Sequence, residues 1–217
     1  SIDGTFSIQD LPAAFHTLAG EILPSVFQPS DEIALEEDDF SFFVDVKDLS
    51  LITSLFVPDI LVAPNTQLNG TYETRSQDLS LNINSDWIHY KNFKLNKVHM
   101  ETDKFSGLYE FSITSKQADI NDSVHLDNLR LAATLFSDNI SAGLSWYADD
   151  RSNSGNIDWD GYWLAKDQFT MSLNPSIINI GDEVWNIYDR GEITLDSTSI
   201  KVANIRAVNG DQIIDVN

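Results

Sequence analysis

The chain has 217 residues, with 34 Asp and Glu against 13 Lys and Arg, a formal net charge of −21 and no cysteine. Such a charge repels a phosphate backbone and anionic headgroups, which excludes nucleic-acid binding and polybasic membrane docking. Without cysteine there are no disulfides, thiolate nucleophiles or cysteine zinc sites. At 42% hydrophobic the composition is that of a folded chain, and no apolar run approaches the ~18 residues of a membrane-spanning helix. The sequence opens Ser1-Ile2-Asp3 without a methionine, which reads as a piece of something longer.

In chain order, Ile2, Gly4, Phe6 and Ile8 alternate as a short strand. Asp10 is placed to cap a helix that tolerates Pro12 in its first turn, with Leu11, Phe15, Leu18 and Ile22 on one face. Pro24 and Pro29 end it. Its polar face carries no Lys or Arg, so it packs on protein rather than on lipid headgroups. The first 46 residues hold ten acids and neither Lys nor Arg; the densest stretch runs from Asp31 to Asp39. This acidic segment, extending to Asp48, is a solvated loop or a docking surface for a basic partner or divalent cation. Phe40 to Val46 is strand-like, with Phe42, Val44 and Val46 on one face and Phe43 on the other. Asp48 heads a second helical pattern, Leu51, Ile52, Leu55 and Phe56, stopped by Pro58. Residues 64–70 read as a turn-rich boundary.

Beyond Gly70 short strands follow one another with polar turns between them. The apolar stripes are Leu79, Leu81 and Ile83; Phe93, Leu95 and Lys97; Tyr109, Phe111 and Ile113; and Leu129, Leu131, Ala133 and Leu135. They continue with Ala142, Leu144 and Trp146, then Phe169, Met171 and Leu173, and shorter pairs to Ile213. This is a mostly β chain, an antiparallel meander with one wet face. Residues 1–64 form an acidic segment with a strand and two short helices packing on the sheet, and residues 65–217 form the β region. The apolar face needs a cover: a second sheet in a sandwich, closure into a barrel, or a ligand in an open trough. Periodicity alone leaves all three open.

From about Asn65 onward the chain resembles the TamB/AsmA-like family of Gram-negative envelope proteins. The resemblance begins with Leu49-Ser50-Leu51-Ile52-Thr53-Ser54-Leu55-Phe56 leading to Leu68-Asn69-Gly70-Thr71-Tyr72. It continues in the alternating Leu79-Ser80-Leu81-Asn82-Ile83 and in Trp87-Ile88-His89-Tyr90-Lys91-Asn92-Phe93. The closest stretch is Ile177-Ile178-Asn179-Ile180-Gly181-Asp182-Glu183-Val184-Trp185-Asn186-Ile187. It runs into Gly191-Glu192-Ile193-Thr194-Leu195, Ile200-Lys201-Val202-Ala203-Asn204-Ile205 and Asn209-Gly210-Asp211-Gln212-Ile213-Ile214-Asp215-Val216. The large TamB-like proteins of Bacteroidetes-type bacteria are similar in this series. The resemblance implies a long, curved, open antiparallel sheet (a β-taco) with an apolar concave face. It also implies a periplasmic location, anchored in the inner membrane, and a role in moving phospholipid or assembling outer-membrane proteins with a barrel partner. Residues 1–64 do not fall on the family's repeat.

If the trough holds acyl chains, its lining is the stripe set Tyr109, Phe111, Ile113, Leu129, Leu131, Ala133, Leu135, Leu144, Trp146, Phe169, Met171 and Leu173. The alternative is that these residues fill the core of an extracellular sandwich that is structural or binds carbohydrate, with Trp159 and Trp163 as sugar-stacking rings. No enzymatic motif is present: there is no G-x-S-x-G, G-x-x-x-x-G-K or H-E-x-x-H. His16, His89, His99 and His125 are scattered, without metal-ligand spacing. Asp149 to Asp158 has the look of a calcium loop, but Gly161 stands where such a loop starting at Asp150 needs glutamate. The reading is therefore a non-enzymatic protein with no metal or cofactor, whose ligand is a phospholipid or another acyl chain.

Overall fold

The computed structural model describes residues 2–5, 11–27, 39–47, 59–73, 78–105, 107–120, 124–150, 152–188 and 191–216. One 17-stranded antiparallel sheet dominates it. Its strands are β1 (Ile2–Thr5), β2 (Asp39–Val46), β3 (Ile60–Val62), β4 (Thr66–Glu73), β5 (Asp78–Tyr90), β6 (Phe93–Phe105), β7 (Leu108–Ile120), β8 (Val124–Phe136) and β9 (Asn139–Tyr147). They continue with β10 (Asn153–Ala165), β11 (Gln168–Leu173), β12 (Ser176–Ile180), β13 (Glu183–Ile187), β14 (Glu192–Leu195), β15 (Ile200–Ala203), β16 (Ile205–Asn209) and β17 (Gln212–Val216). The one helix among the described residues is α1 (Leu11–Ile22). The second helical pattern, after Asp48, lies outside the described residues, as does most of the acidic segment.

From β5 to β10 each strand pairs with the next in sequence. At the N-terminal side β5 is flanked by two strands laid end to end: β4 along residues 78–84 and β3 along 88–90. β2 then pairs with β4, and β1 with β2. At the C-terminal side β10 is flanked in the same way by β11 and β12. One branch runs β11–β14–β15 and the other β12–β13–β16–β17. Among the described residues no ladder joins the two ends of the sheet, so the sheet is open, and the closed-sandwich alternative is corrected. Residues 64–70 are also corrected. The turn is confined to Pro64-Asn65, and Thr66–Glu73 is a strand. Gly70 within it admits the ring of Phe42 and the carbonyl of Ser80, both of which a Cβ would strike.

A line of irregularity crosses the sheet. Lys97 in β6 and Asn128 in β8 have φ of 53° and 48°, and the junctions β3–β4 and β15–β16 hold Asn65 (62°) and Asn204 (57°). L-residues other than Asn and Asp enter this left-handed region at a cost, so Lys97 needs local compensation. Buried hydroxyls beside the line take up the backbone groups it disturbs. Asn96 N–H donates to Ser115 Oγ (3.1 Å), and that hydroxyl lies 2.7 and 2.8 Å from the carbonyls of Asn96 and Gln117. Ser85 Oγ donates to Trp87 O (2.8 Å) and meets Thr66 Oγ1 at 2.8 Å. Ser176 Oγ donates to Asn174 O (2.7 Å) and accepts from Asp158 N–H (3.2 Å).

The line also resets the alternation. On β7 the inward residues are Tyr109, Phe111, Ile113 and Ser115, and the next inward residue is Ala118, three positions on. On β8 Leu129 and Leu126 are both buried around Asn128, and on β6 Val98 is followed inward by Leu95 around Lys97. Ala118, Leu126, Leu129 and Trp146 form one buried cluster with Phe93, Leu95, Leu144, Ile157 and Ile178 against it. The sequence stripe that placed Lys97 beside Phe93 and Leu95 is thus corrected. A strict period of two continues through this position, whereas the left-handed residue shifts the face by one.

Replacing Ser115 by Ala should leave backbone groups of Asn96 and Gln117 short of a partner in a buried row, lowering stability by ~1–3 kcal/mol. Urea denaturation of Ser115→Ala against Ser112→Ala, a hydroxyl on the opposite face of the same strand, measures this; equal stability of the two would refute it.

Candidate functional site

The register places all twelve stripe residues on one face. Tyr109, Phe111 and Ile113 stand opposite Leu135, Ala133 and Leu131. Leu131 and Ala133 stand opposite Leu144 and Ala142 across the next pair. Leu144 and Ala142 face Ile157 and Trp159, and Trp159 faces Leu173. Phe169 and Met171 complete the row system against Trp163 and Gly161. Leu81, Ile83 and Met100 extend the same face toward β4.

Burial across this face is uneven. Tyr109, Leu129, Trp146 and Leu173 are buried, whereas Phe111, Ile113, Leu131, Leu135, Leu144, Phe169 and Met171 retain partial exposure. Apolar surface in partial contact with solvent makes this face the candidate site for a ligand or partner. The opposite face carries Glu110, Ser112, Thr114, Arg130, Thr134, Ser141, Asp158 and Asp160.

Two structures bound the part-exposed stretch of the apolar face. On one side is the irregular line, where the Trp146 indole lies over Gly155 so closely that a Cβ at Gly155 would collide with it. The indole Nε1 donates to Asn153 Oδ1 at 2.9 Å. On the other side sits α1. Glu21 accepts from Tyr109 Oη (2.8 Å) and Lys104 Nζ (3.0 Å), and Asp78 lies 3.9 Å from the same ammonium. Lys104 stands opposite Tyr109 with its Nζ 5.0 Å from the ring centroid.

Beyond the helix, the chain end-caps itself on the β8–β9 turn. Ser137 and Asp138 both have positive φ (44° and 66°), as a two-residue hairpin turn requires. Asp138 N–H donates to Ile22 O (3.0 Å), and its carboxylate accepts from Ser25 N–H (2.9 Å) and Ser25 Oγ (2.8 Å). The last turn of α1 is thereby fixed to the rim of the sheet.

Of the sugar-stacking candidates, Trp159 belongs to the apolar face and Trp163 lies against Phe169 with ring centroids 4.4 Å apart. Asp150, placed at the start of the calcium-like loop, accepts instead from Ser152 N–H (2.9 Å) and Ser152 Oγ (2.7 Å). The histidines are less scattered than their spacing suggests. Opposing pairs run His89, Lys94, Asp119 and His125 across four strands of the polar face. Sequence reasoning missed this row because it depends on three successive hairpin registers. The only signal was the hairpin centres, from which the opposing residues can be counted outward.

No protein-family model, no curated protein and no solved structure matches the chain.

Burial pushes the Tyr109 phenol well above the usual tyrosine range, and the hydrogen bond to Glu21 and its charge add to this. The unfolded chain loses this proton above about pH 10 while the folded chain keeps it, so stability falls as pH rises from there. Tyr109→Phe should cost ~1 kcal/mol at neutral pH and flatten the alkaline decline. Urea unfolding of both proteins at neutral and alkaline pH tests it; parallel declines would remove Tyr109 as the cause.

Proposed function

We propose that this chain is a lipid-holding segment of a TamB/AsmA-like envelope protein, its apolar sheet face carrying the acyl chains of a phospholipid. The observation that supports it is the partial exposure of Phe111, Ile113, Leu131 and Leu144 between the buried Tyr109 and the buried pair Leu129 and Trp146. An acyl chain laid along these rows removes that surface from water, and each methylene so buried contributes ~0.8 kcal/mol. No catalytic group is needed. Selectivity is for chain length and apolarity, because non-directional burial does not read a headgroup.

On this reading the headgroup stays in solvent, and α1 closes the face at the Tyr109 end through Glu21. The family resemblance points the same way. It adds the periplasm as location, an inner-membrane anchor elsewhere in the protein, and an outer-membrane barrel protein as partner.

The test is displacement of a fluorescent fatty-acid probe by phospholipid, with native mass spectrometry of the gently purified chain. Saturable binding is expected, weakened about tenfold or more by Leu131→Asp, equivalent to ~1.4 kcal/mol. Thr114→Asp, one residue from Ile113 on the polar face, should leave it unchanged. Absence of bound lipid together with no probe binding, or equal effects of the two substitutions, would overturn the proposal.

A further inference from the structure

The polar face holds a second feature that the apolar face does not explain. At the end of the sheet beyond the irregular line, a cavity of about 550 Å³ is lined by His89, Lys91, Asn92, Phe93, Lys94, Asp119 and His125. In a chain of net charge −21, this lining carries two lysines and two histidines against one carboxylate.

That carboxylate is already engaged. Asp119 Oδ1 lies 2.6 Å from His125 Nδ1, and Asp119 Oδ2 accepts from Asn96 Nδ2 at 3.3 Å. Lys94 stands directly opposite Asp119 in register, yet it forms no ion pair among the described residues. Lys91 lies over the Tyr90 ring, its Nζ 5.2 Å from the centroid, and meets Asp59 at 3.7 Å in solvent, a weak ion pair. Meanwhile His89 Nε2 is buried with no hydrogen-bond partner among the described residues, a state that costs free energy. Burial, and then the charge of Lys94, lower the pKa of the His89 ring. A neutral imidazole can still donate one N–H, and the tilted Trp87 ring 4.6 Å from it helps hold its plane.

We infer that this cavity is a binding site for a phosphate monoester, held by the ammonium groups of Lys94 and Lys91 beside the His89 ring. A compact dianion matches two point-charge donors, and lysine is suited to phosphate in this role. The cavity volume leaves room for the group to which the phosphate is esterified. The global negative charge opposes long-range attraction, so the site works by short-range contact and takes small ligands, not polyanions. The inference does not rest on lipid on the apolar face, since the two lie on opposite sides of the sheet.

The experiment is NMR of the histidine side chains during titration with inorganic phosphate and with glycerol phosphate, at ionic strength held constant with chloride. Saturable shifts of His89 and His125 are expected, lost in Lys94→Gln and retained in Lys97→Gln, where the lysine lies outside the cavity against Asp86. Vesicles of phosphatidic acid against phosphatidylcholine separate the two sources of the group: retention by the former alone, dependent on Lys94, assigns a lipid headgroup, and glycerol phosphate binding alone assigns a soluble ester. Equal shifts with acetate, no saturation with either phosphate, or binding unchanged in Lys94→Gln would overturn the assignment.

Discussion

A row of buried hydroxyls beside left-handed residues holds the two halves of this sheet on one apolar face. Strands of 13 residues, such as β5 to β8, twist as they lengthen. Ser85, Ser115 and Ser176, with Thr66, sit where the backbone leaves regular pairing and return its polar groups to hydrogen bonds. Because those groups are satisfied, the break is compatible with burial; unsatisfied, each would cost ~1–3 kcal/mol. The shift of face that comes with the break brings Ala118 and Leu126 to the same side as Leu129 and Trp146, and the buried cluster follows from it.

The rest of the arrangement is built outward from that line. On one side lies the broad apolar face with its part-exposed centre, bounded by α1. On the other lies the shorter stretch whose polar surface holds His89, Lys94, Asp119 and His125. The same reset that keeps apolar residues together on one face moves these four onto the other. The two candidate sites are therefore two outcomes of one backbone device, and they differ in kind: one offers area without direction, the other offers direction without much area.

How much of this was legible beforehand depends on what each feature rests on. The stripes of β7 to β9 and β11 are strict alternations, and such a period is readable residue by residue, so their shared face followed directly. The helix over 11–22 showed in its spacing and in the prolines after it. β4 was obscured because Thr66, Gln67, Asn69 and Gly70 have turn chemistry, and only its pairing with both β2 and β5 makes it a strand. Lys97 continues a stripe in the sequence because nothing in its identity marks a left-handed residue. Periodicity leaves the open sheet as one of three alternatives, since closure is a property of the two ends and not of any window of sequence, and it was the family resemblance that singled it out. The polar-face row was illegible for a related reason, being the product of several registers together.

The pairing order has a consequence for how the chain acquires its structure. From β5 to β10 each strand pairs with the next in sequence, so each of these ladders closes a loop of only a few residues. The entropy of closure is small at each step, and the contacts are local for a β protein. Assembly can therefore proceed like a zipper, with each hairpin templated by the one before. Stability is then close to a sum of nearest-neighbour terms, as in a one-dimensional array. A sheet of this type can be lengthened or shortened by whole hairpins without redesigning its middle, which makes length itself an adjustable property of the architecture.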